Sequence, residues 1–222
     1  MAHQQADLSW ADGQVPVSAR FDDPYFSLQD GLAETQHVFL SGNDLPKRFV
    51  PGFAIAELGF GTGLSLLAAW AAWEQSGQTT PLTYTSFEAY PVAPQDMAKA
   101  LSVFSSLASW RDRFLDVWPG VGACDLESLH LNVVPGDARD TLPSWDGRAN
   151  AWFLDGFSPA KNPELWGAGL MQEVAQHTAP GGTFATYTAA GFVRRGLETA
   201  GFSVNRTQGF GSKRHMTRGV LA

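Results

Sequence analysis

Glu57-Leu58-Gly59-Phe60-Gly61-Thr62-Gly63 decides how this chain folds. An apolar run, Phe53-Ala54-Ile55-Ala56, leads into it, and the helix-forming residues 64–73 lead out of it. The order is strand, glycine turn, helix start. Glycine at every second position lets the backbone reverse tightly and leaves room for a ligand against it. A dinucleotide fingerprint is excluded. Its third glycine falls where this chain has Leu64, and it carries no acid two positions before its first glycine. Glycine turns also close ordinary strand–helix joints, so the rest of the chain must say whether this one holds a ligand.

Downstream of the turn, two periodicities alternate. Strands are predicted at 53–58, 82–87, 129–134, 151–154, 182–187 and 202–206, with 216–221 closing the sheet as a last strand. Helices are predicted at 64–75, 94–104, 164–177 and 191–200. This alternation implies an α/β fold with a mostly parallel sheet and helices on both faces. Upstream, the alternation is absent. Residues 10–14 suggest a hairpin with Asp12-Gly13 in its turn, and Val38-Phe39-Leu40 suggests a short strand. Residues 1–50 are therefore expected to form an extension packed on a domain at 51–222.

A chain of 222 residues with 44% hydrophobic content suits one domain with a sizeable core. No apolar stretch reaches the roughly 18 residues of a membrane helix, and the start of the chain has no apolar signal core. Cys124 is the only cysteine, so no intramolecular disulfide forms and a reducing cytoplasm is expected. No Cys/His cluster has zinc-ligand spacing, and no metal is expected. The net charge of −7 argues against a nucleic-acid partner. Its distribution argues the other way. From residue 189 onward Arg194, Arg195, Arg206, Lys213, Arg214 and Arg218 face a single acid, Glu198. A basic end on an acidic body suits a phosphate backbone, although a solvated helix face and tail look the same in sequence.

Ligands of such sheets lie beyond the carboxyl ends of the strands. Four predicted strand ends carry an acid: Glu57, Glu88, Asp137 and Asp155. One alone, Asp137 in particular, is explained as a helix N-cap. Four grouped carboxylates repel one another, and a ligand explains them better. Glu88 follows Gly63 by 25 positions, where a carboxylate can accept both hydroxyls of a ribose. The glycine turn resembles the first motif of class I S-adenosylmethionine methyltransferases. That resemblance implies S-adenosyl-L-methionine cradled by Gly59, Gly61 and Gly63. Glu57 would lie near its amino group and sulfonium, Glu88 at the ribose, and Asp137 and the Ala138 N–H at the adenine.

Segment 155–166, Asp155-Gly156-Phe157-Ser158-Pro159-Ala160-Lys161-Asn162-Pro163-Glu164-Leu165-Trp166, sits where such enzymes place the methyl acceptor. It resembles, together with Phe21-Asp22-Asp23-Pro24-Tyr25-Phe26-Ser27, segment 31–39, Ser41-Gly42-Asn43 and segment 209–214, the methyltransferase domain of the MnmC type. The resemblance covers nearly the whole chain. It implies methylation of the primary amine of 5-aminomethyl-2-thiouridine at the tRNA wobble position. Asp155 becomes the candidate to hold the amine and take its proton. Phe157, Tyr25 and Phe26 are candidate aromatics near the sulfonium, with core packing as their ordinary alternative, and His37 is a weaker candidate. Lys161, Arg194, Arg195, Lys213 and Arg214 are the candidate phosphate contacts. Longer family members continue into a flavin-dependent oxidase. No second glycine fingerprint occurs here, so methylation alone is expected, either from a stand-alone enzyme or from a piece cut at a domain boundary, with a separate FAD-dependent oxidase supplying the substrate. Ser65 stands where relatives tend to have Asn. Two other classes stay open: an amine methyltransferase for small molecules or proteins, and a non-catalytic nucleotide-binding module.

Overall fold

Asp12 and Gly13 both take positive φ, 49° and 72°, and this left-handed pair reverses the chain between β1 (Leu8–Ala11) and β2 (Val15–Ser18). The structure, a computed structural model, describes residues 4–27 and 29–222. Residues 1–3 and 28 of the expected N-terminal extension lie outside the described residues. A short β3 (Asp23–Pro24) completes a three-stranded antiparallel sheet. Asp30 then caps α1 (Gly31–Thr35), its carboxylate accepting the Ala33 N–H at 2.9 Å.

Val38, Phe39 and Leu40 do not form the expected strand. They lie in a wide π-helical turn, Gln36–Leu40, that continues α1. All three are buried, and Phe39 stacks on Phe153 at 5.2 Å. Three apolar residues in a row carry no period-2 alternation, and a short run of this kind fits a buried helix equally well.

The main sheet is built from β4 (Ala54–Leu58), α2 (Leu64–Gln75), β5 (Leu82–Glu88), α3 (Pro94–Leu101), α4 (Ala108–Val117), β6 (Gly122–Leu126), β7 (Leu129–Pro135), α5 (Ala138–Thr141), β8 (Ala149–Leu154), α6 (Ala168–Gln176), β9 (Thr178–Thr186), α7 (Gly191–Thr199), β10 (Phe202–Gln208) and β11 (His215–Leu221). Its strand order is β10-β11-β9-β8-β4-β5-β7-β6. Pairing is parallel from β9 through β8, β4 and β5 to β7, while β11 and β6 run antiparallel to their neighbours. Strand order reverses between β4 and β8, which opens a crevice at their carboxyl ends.

Helices cover both faces. Most residues of α2 are buried, including Trp70 and Trp73, because α2 lies between the sheet and α1 and α4. A second core packs Trp152 and Phe184 against α6 and α7. The helix expected at 164–177 is two pieces, a 3-10 turn at Pro163–Trp166 and then α6. Gly167, at ψ 149°, breaks it, and the Trp166 indole is pinned to the Phe157 carbonyl at 2.9 Å. Within the main sheet and its helices, β6 and α4 were not anticipated, nor were β3 and α1 upstream. In β6 the only buried residue is Cys124, so it has no apolar alternation to read. In α4 Phe114 alone is fully buried. Among the described residues no helix is long and apolar enough to cross a membrane.

Candidate active site

The three glycines of the turn adopt φ of 80° (Gly59), 54° (Gly61) and 80° (Gly63), where a side chain is strained. The Gly59 N–H donates to the Phe87 carbonyl at 2.9 Å, tying the turn to the end of β5. Space is as restrictive as conformation. A Cβ on Gly59 would stand 3.1 Å from Gly156 Cα, and one on Gly61 would stand 3.1 Å from the Tyr25 ring. Beyond the turn opens a cavity of about 680 Å³ at the carboxyl ends of the central strands. Its volume suits a small-molecule ligand.

Glu88 lines this cavity with its carboxylate already aimed. Oε2 accepts the Gly61 N–H at 2.9 Å and Oε1 accepts the Tyr90 N–H at 2.7 Å. Each oxygen keeps a lone pair for a ligand hydroxyl. Burial raises the Glu88 pKa, and these backbone N–H groups pull it down. Glu57 is placed differently. It does not line the cavity but lies beneath the turn, 1% exposed, accepting the Ser86 hydroxyl at 2.8 Å. Burial, and then the neighbouring Asp155, hold its pKa well above the carboxylate range. Asp137 and Ala138 line the cavity, but Asp137 is also the N-cap of α5. It accepts the Arg139 N–H at 2.9 Å and the Arg139 guanidinium at 2.6 Å, which lowers its pKa. Gly63 shapes the helix start behind the lining.

Asp155 directly follows β8 at the cavity wall, and its Oδ1 accepts the Gly156 N–H at 2.8 Å. Burial pushes its pKa up to about 7; the Gly156 bond and Lys213 pull it down, while Glu34 and Glu88 push it up. The loop after Asp155 is held by the N-terminal segment. Phe157 stacks on Phe21 at 4.7 Å and meets the edge of Tyr25 at 5.1 Å. The Ser158 N–H donates to Asp23 Oδ2 at 2.8 Å. Lys161 donates to the Asp22 backbone carbonyl and lies 3.1 Å from Asp22 Oδ2. Thus Phe21-Asp22-Asp23 and segment 155–166 are two halves of one structure. Tyr25, Phe26 and Phe157 all line the cavity; His37 instead contacts the Gln208 carbonyl at 3.0 Å.

Of the predicted cationic contacts, Lys213 alone lines the cavity, paired with Glu34 at 2.7 Å. Lys161 is paired with Asp22 outside the lining, Arg194 and Arg195 sit on α7, and Arg214 is exposed beside β11. Glu34, Tyr187 and Arg139 also line the site and were not singled out from the sequence as site residues. Lone polar residues on a helix, after a strand and at a cap look ordinary until the chain folds.

A family profile described as S-adenosyl-L-methionine-dependent methyltransferase matches residues 103–222. Over 100% of its length the chain is 44% identical to the tRNA 5-methylaminomethyl-2-thiouridine biosynthesis bifunctional protein MnmC of Chromobacterium violaceum. It is 43% identical over 99% of its length to the protein of that name from Stutzerimonas stutzeri. The chain spans 35% of the length of each of these curated relatives. The crystal structure of MNMC2 from Aquifex aeolicus matches with a TM-score of 0.77 at 26% identity, over 99% of this chain and 71% of that one. TrmN from Thermus thermophilus shares the fold, with a TM-score of 0.51 at 16% identity over 82% of this chain and 47% of that one. The side-chain-free cradle at Gly59 and the Glu88 carboxylate, with a lone pair left on each oxygen, suit the adenosyl cofactor named in the profile's description. The chain belongs to the S-adenosyl-L-methionine-dependent methyltransferases.

Proposed function

We propose that this enzyme methylates the primary amine of 5-aminomethyl-2-thiouridine at the tRNA wobble position, giving 5-methylaminomethyl-2-thiouridine. One observation carries the reading. Similarity to the MnmC proteins runs through the whole chain, so it takes in both halves of the structure at the cavity mouth. Residues 1–50 act as an extension that braces the acceptor loop of the domain at 51–222. The Asp23 bond to Ser158 and the Phe21 stack on Phe157 support that division. Such an enzyme works in the cytoplasm with tRNA, and an FAD-dependent oxidase would supply its substrate.

Gly59, Gly61 and Gly63 would cradle the cofactor, Glu88 its ribose, and Asp137 with Ala138 its adenine, with Glu57 supporting the turn from beneath. S-Adenosyl-L-methionine supplies an electrophilic methyl group. The residues of the chain must supply a neutral amine in the right place. An alkyl amine is mostly protonated at neutral pH and has no free lone pair in that form. Asp155, with a pKa of about 7, is matched to accept that proton near neutrality. Holding amine and methyl donor in line lowers the barrier further, by about 7–11 kcal/mol in favourable cases. A splayed-out wobble base would stack on the Phe21–Phe157 aromatics at the mouth.

Phosphate contacts fall to the basic residues. Arg194, Arg195 and Arg214 lack the carboxylate partners that Lys161 and Lys213 have among the described residues. Replacing each of the three by Ala is expected to weaken tRNA binding and leave cofactor affinity unchanged. Each lost phosphate contact lowers the salt slope of binding by about one unit. A tRNA affinity that does not vary with salt would remove the basic C-terminal surface from docking. The reaction itself is tested with labelled S-adenosyl-L-methionine and tRNA from cells lacking the modification, followed by mass spectrometry of the nucleosides. Label in 5-methylaminomethyl-2-thiouridine is the expected result. Label in a small amine or a protein, with none in tRNA, would overturn it.

A further inference from the structure

By charge Lys213 belongs with the basic C-terminal residues, yet its ammonium turns into the cavity wall. It lies 2.7 Å from Glu34 Oε1 and 4.5 Å from the centroid of the Tyr187 ring. The Tyr187 hydroxyl donates at 2.8 Å to the carbonyl of Gly156, the residue after Asp155. Three distant parts of the chain therefore meet beside the acceptor carboxylate: α1, the residue following β9, and loop 209–214. We propose that Lys213 and Glu34 form a built-in charge pair that sets the protonation of Asp155, and so the pH range in which methyl transfer runs. This rests on Asp155 being the group that takes the amine proton.

Several ionisable groups surround Asp155. Glu34 faces it from α1, Glu57 from β4 and Glu88 from β5, with the phenols of Tyr84 and Tyr187 nearby. Of these, Glu34 and Glu88 disfavour a further negative charge on Asp155. Lys213 is the cation that opposes them. With the ammonium in place Asp155 loses its proton near neutrality; without it the proton is lost at higher pH, and a smaller share of the enzyme can accept one from the amine. Glu34 holds Lys213 in position, and the Tyr187 ring face adds a cation–π contact on the other side. Glu34 also adds negative charge of its own, so the two residues push Asp155 in opposite directions. Both are positioning residues, acting through Asp155.

The test is kcat against pH, with tRNA that lacks the final methyl and with cofactor affinity measured by calorimetry. Lys213→Met is expected to move the acid limb of the profile to higher pH by roughly one unit. Lys213→Arg should retain the parent limb. Glu34→Gln should move the limb to lower pH, and the double variant should fall near the parent. Glu34→Gln carries the test by itself should Lys213→Met not fold. An unmoved limb in both single variants would overturn the proposal. So would an unmoved limb with lost cofactor affinity, which would make Lys213 a cofactor ligand. A parent enzyme that transfers no methyl to this tRNA would be a different failure, that of the substrate reading, and would take the proposal with it.

Discussion

Asp155→Asn is expected to bind S-adenosyl-L-methionine and tRNA as the parent does, and to turn over roughly 10²-fold more slowly or worse. The exchange keeps the size of the side chain. It also leaves an oxygen to accept the Gly156 N–H, so the end of β8 keeps its shape. What disappears is a group able to take a proton. In the parent, burial holds Asp155 near pH 7, so the carboxylate gives way to the acid as pH falls through neutrality and kcat falls with it. The variant has no such group to titrate. Raising the pH should recover part of its loss, because more of the acceptor amine is then neutral without help. Single-turnover rates across neutral pH measure this. A variant at full rate near neutrality would reduce Asp155 to shaping the loop.

Glu88→Ala should weaken cofactor binding by about 1–3 kcal/mol, read by calorimetry. Two losses combine. A buried, ionisable acceptor for two ribose hydroxyls is gone. The N–H groups of Gly61 and Tyr90, which Glu88 accepts at 2.9 and 2.7 Å, are also left without a partner. The second loss reaches the free protein too, so the melting temperature should fall even without cofactor. Glu88→Gln keeps an oxygen on one side and should lose less on both counts. Unchanged affinity in Glu88→Ala would remove Glu88 from the ribose site.

Local patterns reach only part of this molecule. The borders of α2 match the sequence reading, and β11 was legible as a closing strand, because each carries its own periodicity. Residues 38–40 misled because a run of three apolar residues has no period. Side-chain partners were less legible still. Lys161 in a loop beside the acceptor looked like a phosphate contact. Its carboxylate partner, Asp22, lies 139 positions away, and nothing local to either residue announces the pair. Lys213 and Glu34 meet across 179 positions. The four acids were visible because strand ends can be counted. Glu57 was expected beside the cofactor and lies under the turn, because a strand end does not say to which side its last side chain points.

The order of the sheet also bears on how the enzyme is made. β11 comes last along the chain, yet it is threaded between β9 and β10. On a ribosome, β9 and β10 emerge with no direct pairing between them. Until β11 arrives, β9 presents an open edge next to the most buried strands of the protein. Unpaired edges of this kind are templates for association between chains, and partly made chains are when they are exposed. Loop 209–214, which carries Lys213, arrives just ahead of that strand. β11 therefore joins β9 to β10 in the same late step that brings Lys213 to the cavity.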